Sequence, residues 1–430
     1  MTEQTSDPPS QRLKLSSTEE QQSDEEEETA DKISHLPDAL LTHILSLIPT
    51  KQSVKTAVLS KRWLPLWTSV PTLDFDDETP VVSSDSETGR REDHKTHHTT
   101  AFPDFVYSVL LHYEAKPVNR FRLRCSDLSD ANITAWVGQA VLRKVQEIEL
   151  SLSLSRYVGL PRKLFNCDSV VVMKLNGVFL NALVSFSVRL PQLKVLHVGD
   201  RVLFGCHDYI FALVAGCPVL EDLSLESSYN DACGGAVCLK GDVKLDMKLL
   251  EKAKIGFSWK NTCQKSMFLF FKALSNVRFL SIMKSTAGCL KHALASDIPV
   301  FNNLVQLEIS FGYYYWDLLS MMLQNSRRLE ALIIHKDPLK LAKGEEPQWN
   351  HEALPIPDCL LVHLKTFCLK EYQGWQSEMA FVGYIMQNAR ALETMTISID
   401  SSLDLQSQLQ IRRNLSILQR SFQSCEIVFC

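Results

Sequence analysis

The chain has 430 residues, enough for roughly three domains at about 150 residues each. Its composition is that of an ordinary globular protein, 45% hydrophobic and 22% charged, with a net charge of −5. The first 30 residues carry nine acidic against two basic side chains, a net of −7, so the other 400 sum to +2. A body so close to neutral lacks the basic footprint of a nucleic-acid binder. No run approaches the roughly 18 unbroken apolar residues of a membrane span. The N-terminus also lacks the basic-then-apolar pattern of a signal peptide. These features predict an intracellular chain, in the nucleus and/or the cytoplasm. Lys61-Arg62 and Arg90-Arg91 are too short to argue a nuclear signal. The twelve cysteines are scattered without C-x-x-C spacing and are expected to be small buried hydrophobes.

Residues 1–30 are rich in Gln, Ser, Thr, Asp and Glu and cannot bury enough apolar surface to offset ordering entropy, so they are expected to be a disordered acidic tail. Character changes abruptly at residue 31. Pro37 and Asp38 are helix-start signals, and Pro49 is a stop, predicting a helix over about 38–48. Its apolar residues form two stripes, Leu40, Ile44, Leu47, Ile48 and Leu41, Leu45, Ile48, where a surface helix needs only one. A second helix is predicted over about 51–59, burying Val54 and Val58. Ser60 can cap a third with Trp63, Leu66 and Trp67, bent or shortened by Pro65. Three helices in under 50 residues cannot enclose that much apolar surface, so the excess needs the rest of the chain or another protein.

The run Leu36-Pro37-Asp38, Ile44 to Lys51, Val58-Leu59-Ser60-Lys61-Arg62-Trp63 and Leu66-Trp67 resembles an F-box in its plant form, without a gap over residues 31–77. That resemblance implies docking onto a small Skp-type adaptor, and through it onto a cullin ubiquitin ligase. The residues it marks for the adaptor are Leu36, Pro37, Leu40, Leu41, Ile44, Leu45, Ile48, Pro49, Val58, Leu59, Trp63 and Trp67.

Residues 78–100 are polar, include three His, and are expected to be a flexible linker. From about residue 118 a triplet recurs: apolar, two residues, apolar, one residue, apolar. Clear copies include Leu193-Leu196-Val198, Val277-Leu280-Ile282 and Leu329-Leu332-Ile334. The third position falls at 123, 150, 175, 198, 225, 255, 282, 309, 334, 369 and 397, spacings of 23 to 35 residues. The period matches leucine-rich repeats, each a strand plus a return segment stacked on its neighbours. Helical returns are expected at 209–215, 316–324 and 378–389. Residues 337–357 interrupt the rhythm as a loop. From within this loop onward, Trp349, Pro355, Pro357, Cys359-Leu360 and His363-Leu364 resemble the FBD segment that closes many plant F-box proteins. The final apolar stripe (Leu409, Ile411, Leu415, Leu418, Phe422) and a strand at 425–429 fit that ending over residues 350–430. Such a segment would serve as the terminal cap that a repeat array needs.

The expected architecture is therefore α/β: a three-helix F-box at 31–77, a linker at 78–100, a leucine-rich-repeat solenoid of parallel strands and helical returns at 101–349, and an FBD-like cap at 350–430.

Catalytic patterns are lacking: there is no Gly-rich phosphate loop, H-E-x-x-H or G-x-S-x-G. Cys233-Gly234-Gly235 reads as a turn, and His94, His97 and His98 lack partner spacing for a metal. Neither catalytic residue, metal nor cofactor is expected. Binding surfaces are the better prospect. The residues between the apolar positions face away from the core. In the first two units, parallel pairing sets Arg120 beside Glu147 and Arg122 beside Glu149, a cross-strand ladder that leaves Arg124 as a candidate for an acidic target. Further along, Lys174, His197, Asp222, Glu226, Lys252, Lys254, Phe279, Met283, Glu308, His335 and Lys370 offer mixed charge suited to a protein ligand. Tyr313, Tyr314, Tyr315 and Trp316 are aromatic candidates for target contact. The expected function is a non-catalytic substrate adaptor of a Skp-cullin-F-box ligase. The alternative is a leucine-rich scaffold outside any ligase, favoured if the doubled stripe packs against the repeats. A hydrolase or transferase would need a convergent polar cluster that the sequence does not offer.

Overall fold

The computed structural model describes residues 33, 35–77, 93–126, 129–153, 158–180, 187–204, 208–227, 245–257, 264–290, 297–311, 316–336, 349, 355–421 and 426–429. The acidic tail, Cys233 to Gly235 and Tyr313 to Tyr315 lie outside them, as does nearly all of 337–357.

The described helices are α1 (Asp38–Leu45), α2 (Thr50–Lys55), α3 (Asp93–His112), α4 (Asp130–Leu142), α5 (Asp208–Ala215), α6 (Gln264–Ala273), α7 (Lys284–Leu290), α8 (Trp316–Gln324), α9 (Asp358–Val362), α10 (Gln376–Asn388) and α11 (Leu405–Ser421). The strands are β1 (Thr72–Asp76), β2 (Arg120–Cys125), β3 (Glu147–Leu152), β4 (Val158–Gly159), β5 (Val172–Asn176), β6 (Val178–Leu180), β7 (Val195–Val198) and β8 (Leu203–Phe204). They continue as β9 (Asp222–Ser227), β10 (Lys252–Phe257), β11 (Phe279–Ile282), β12 (Gln306–Phe311), β13 (Ala331–Lys336), β14 (Thr366–Tyr372), β15 (Thr394–Ile399) and β16 (Glu426–Phe429).

Thirteen of these strands form one parallel sheet in chain order, from β1 to β16, omitting β4, β6 and β8. The apolar triplet sets its register. Leu123 pairs with Leu150, Leu150 with Leu175, Leu175 with Val198 and Val198 with Leu225, and the series runs through Ile255, Ile282, Ile309, Ile334 and Leu369 to Ile397. Each of these eleven side chains is at most 2% exposed. A one-residue slip would turn that whole column to solvent, which is why the register is so uniform. The returns close the other side of the core. Helices α5, α8 and α10 fall where periodicity placed them, within two residues at each end. Three returns instead carry short strands, β4, β6 and β8, which pair into a second small sheet. No strand signal for them is visible in segments of two or three residues.

The sheet has two more rungs than the eleven triplets. β1, directly after the helical block, is the first rung, and β16 is the last. The segment from 350 onward continues the same sheet, with β14 paired to β13 and then β15 and β16. Helix α3 begins at Asp93, so the last eight residues of the stretch read as linker are helical. Its later turns bury Val106, Val109 and Leu110 against the first rungs.

Candidate functional site

The helical block has its own small core, Leu41, Leu45, Trp63, Leu66 and Val70, with Leu36 and Ile48 packed on it. Pro37 caps α1 with extended backbone, and Arg62 pairs with Asp38 at 2.7 Å while also donating to the Leu36 carbonyl. That clamp holds the turn after Leu59 against the start of α1. The two stripes of α1 are divided: Leu41 and Leu45 are 0% and 2% exposed, whereas Leu40, Ile44 and Leu47 are 50%, 45% and 73% exposed. Val58 (87%), Leu59 (63%) and Leu64 (59%) add to the uncovered aliphatic surface.

Several expectations change here. Val58 is outward rather than buried, because α2 ends at Lys55 and a single 3-10 turn, Thr56–Val58, follows it. The third helix reduces to a 3-10 turn, Leu66–Ser69, that Pro65 initiates rather than interrupts. Of the twelve residues marked for an adaptor, Leu41, Leu45 and Trp63 belong to the block's own core. Leu36, Ile48, Pro49 and Trp67 are half-buried, and Pro37, Leu40, Ile44, Val58 and Leu59 are exposed. Leu47 and Leu64 share that exposure without having been marked.

The block is joined to the repeats by hydrogen bonds and by packing. The Thr50 hydroxyl accepts from the Asp74 amide at 2.8 Å on β1, and the Thr72 hydroxyl donates to the Ser46 carbonyl at 3.0 Å. Val54 and Trp67 pack against the large core, so they, and not the stripes of α1, make the junction.

On the strand face, the register sets Arg120 opposite Glu147 and Arg122 opposite Glu149, as the spacing predicts. Strand β1 adds Asp74 and Asp76 on the other side of the arginines. Arg122 bonds Asp74 at 3.0 Å and Arg120 bonds Glu149 at 2.9 Å, while Arg124 lies 3.9 Å from Asp76 and 3.6 Å from Glu149. Arg124 is therefore a member of the ladder, not a spare cation awaiting an acidic target. Burial tends to lift the Glu149 carboxyl, but the Arg120 hydrogen bond and the charges of Arg122 and Arg124 outweigh it and hold it below the usual carboxylate range. For Asp74, burial outweighs the arginines and pushes the carboxyl up.

Farther along the same face, His197 sits 3.2 Å from Asp222, Lys254 2.7 Å from Glu226, and His335 2.7 Å from Glu308. The first two pairs and Glu308 rim an open groove of about 360 Å³ with Phe279 and Gln306 in its lining. Trp316 does not reach a target-facing position: it is 6% exposed, with its ring 5.0 Å from that of Phe381 and 6.1 Å from that of Trp349.

A buried polar cluster stitches the last rungs together. Lys336 at the end of β13 pairs with Glu378 of α10, both nearly fully buried, and its ammonium lies 3.8 Å from the Trp375 ring centroid. Glu378 also accepts from the Trp375 amide at 3.0 Å and the Gln373 amide at 3.1 Å, capping α10. Burial pushes its carboxyl up, against the Lys336 ammonium.

Burial lifts the thiols of Cys125, Cys217 and Cys359 to about 12, which makes them packing groups rather than nucleophiles. Among the described residues no group of His, Cys, Asp and Glu is arranged for a metal, and no helix is long and apolar enough to cross a membrane.

A helical block with an uncovered aliphatic face, fused to the first rung of a leucine-rich solenoid, defines an F-box protein with leucine-rich repeats. Comparison with known families agrees: residues 33–74 match the F-box domain, 133–239 match the leucine-rich repeats of FBD-associated F-box protein At5g56370, and 352–397 match FBD. The chain is similar to the putative FBD-associated F-box protein At3g50710 of Arabidopsis thaliana, 30% identical over 93% of this chain and 99% of that one. It is likewise 29% identical to the Arabidopsis F-box/FBD/LRR-repeat protein At4g00160, over 93% of this chain and 94% of the relative. The chain belongs to the plant F-box/FBD/LRR-repeat family.

Proposed function

We propose that this protein is the substrate-recognition subunit of a Skp-cullin-F-box ubiquitin ligase. The F-box docks a Skp-type adaptor and, through it, a cullin, and the solenoid recruits a protein target. The observation that carries the reading is the division of α1: one stripe fills the block's own core, and the other, Leu40, Ile44 and Leu47, is left on the surface with Val58 and Leu59. Uncovered aliphatic surface of this kind marks a protein interface. The same division argues against a scaffold acting outside any ligase, because the outer stripe does not pack on the repeats. In this role the chain supplies proximity and orientation, and the chemistry belongs to its partners.

The test is to isolate the tagged chain from cells with the proteasome blocked and identify co-purifying proteins by mass spectrometry, beside the Leu40→Asp/Ile44→Asp variant. Adaptor and cullin should accompany only the unaltered chain, and proteins retained by both are target candidates. If neither chain brings down an adaptor, the ligase assignment fails.

A further inference from the structure

The N-terminal edge of the sheet carries a groove of about 600 Å³ that runs from the approach to β10 across to β14. Its two walls are repeat columns. One column holds the residues just before the first apolar position of each triplet: Asn276, Asn303, Arg328 and His363. The other holds the residues just after it: Glu251, Arg278, Val305 and Glu330.

The side chains divide into occupied and available groups. Glu330 is held by Lys365 at 2.9 Å, and Arg278 lies over the Phe279 ring at 5.7 Å. The side chains of Asn276, Asn303 and Arg328 make no hydrogen bond or ion pair within the described residues. Each carboxamide offers a donor pair and an acceptor, the complement of a peptide unit, whereas a guanidinium offers only donors. Four rung spacings of about 4.8 Å give a length that an extended chain covers in about six residues. Charge is mixed along the groove, with Lys248 and Glu251 toward one end and Arg328, Glu330 and His363 toward the other. A polyanion would run its phosphates past Glu251 and Glu330, so the mixed charge suits a short peptide better than a nucleic acid.

We propose that this groove binds an extended peptide of about six residues, its backbone on Asn276 and Asn303 and an acidic side chain on Arg328. The site would be where the repeats take their target, so its biological sense rests on the recruitment reading above.

The test is selection of a displayed library of random heptapeptides on the full-length chain. Enriched sequences should share Asp or Glu at one position and bind Arg328→Glu at least about tenfold more weakly, the weight of a charge-assisted hydrogen bond. The same library selected on Arg328→Glu should enrich Lys or Arg at that position. Asn276→Leu/Asn303→Leu should weaken all selected peptides whatever their sequence. Arg328 is exposed, so thermal unfolding of its variant should match wild type. Failure to enrich an acidic position, or equal binding by Arg328→Glu, overturns the proposal. Adaptor capture is scored on the same preparations. A chain that captures adaptor without enriching acidic peptides keeps the ligase reading and loses the groove. One that enriches them without capturing adaptor keeps the groove and loses the ligase reading.

Discussion

Leu40 and Leu45 lie five residues apart on α1, about 1.4 helical turns, and so on different faces with opposite roles. Leu45 is sealed in the block's five-residue core, so Leu45→Asp buries a charge without a counter-ion and should unfold the F-box, removing its share of the thermal transition. Leu40→Asp places the same charge in water and should leave that transition unchanged. Differential scanning calorimetry of the two single variants separates the cases, and equal melting would mean the stripes are assigned wrongly. Gly177 is a second position where one residue decides. It links β5 to β6 at φ +73°, and a Cβ there would stand 1.8 Å from the Leu152 carbonyl oxygen. Gly177→Ala therefore combines a left-handed backbone penalty with a clash against main chain, and should cost at least about 2 kcal/mol in denaturant unfolding. A cost under half that value would show that the turn relaxes freely.

At the scale of elements, the acid-base ladder on the first three strands should make stability depend on pH. The Glu149 carboxyl is held below its usual range near 4.5, so the folded state is favoured above that value, and the contribution is lost as pH falls through the lowered folded value. Glu149→Gln should flatten the loss of unfolding free energy on acidification in that window, measured by urea titration at stepped pH. An unchanged acid limb would show that the ladder is too solvated to matter. The Lys336–Glu378 pair predicts a different signature. Lys336→Met leaves a carboxylate buried with its cation gone and should cost about 3–5 kcal/mol. Lys336→Met/Glu378→Met should recover part of that, though not the α10 cap that Glu378 supplies. A double variant worse than the sum of the singles would contradict this account.

Much of this was legible in residue order, for a physical reason. A triplet that must face one core reports register directly, so the eleven aligned positions and the Arg120–Glu147 pairing could be read from spacing. The terminal rungs were harder. Val70-Leu73-Phe75 is itself a triplet, but α3 separates it from the next one by 48 residues and breaks the rhythm. In β16 the first triplet position is Ser424, so the pattern is incomplete. The adaptor face was legible only as a surplus. Helical periodicity revealed two stripes on α1, but only the packing of Trp63, Leu66 and Val70 shows which one is used internally. Arg124 belongs to the ladder because its partner Asp76 comes from β1, a strand outside the regular spacing of the triplets.

Across the whole molecule, the continuous sheet ties the three family segments into one unit. The F-box is bonded to β1, and the FBD segment supplies the last rungs. Deleting residues 350–430 should therefore do more than remove a module. It would uncover the edge of β13 and the apolar layer of Leu332, Ile334 and Trp316 beneath Phe367 and Phe381. An uncapped array of this kind aggregates. Size-exclusion chromatography with light scattering should show a monodisperse full-length chain and a soluble-aggregate or insoluble truncation. A monodisperse truncation would mean the segment is an independent domain.

The central claim is that the outer stripe of α1 is an adaptor-docking face held at a fixed angle to a target-binding solenoid. Its most direct test is the binding isotherm of a purified Skp-type adaptor on the full-length chain and on Leu40→Asp/Ile44→Asp. Two central aliphatic anchors should be worth at least about a hundredfold in Kd, with the melting profile of the repeats unchanged. Affinity within about twofold of wild type in a folded double variant would contradict the account, and would place the adaptor contact, if one exists, elsewhere on the chain.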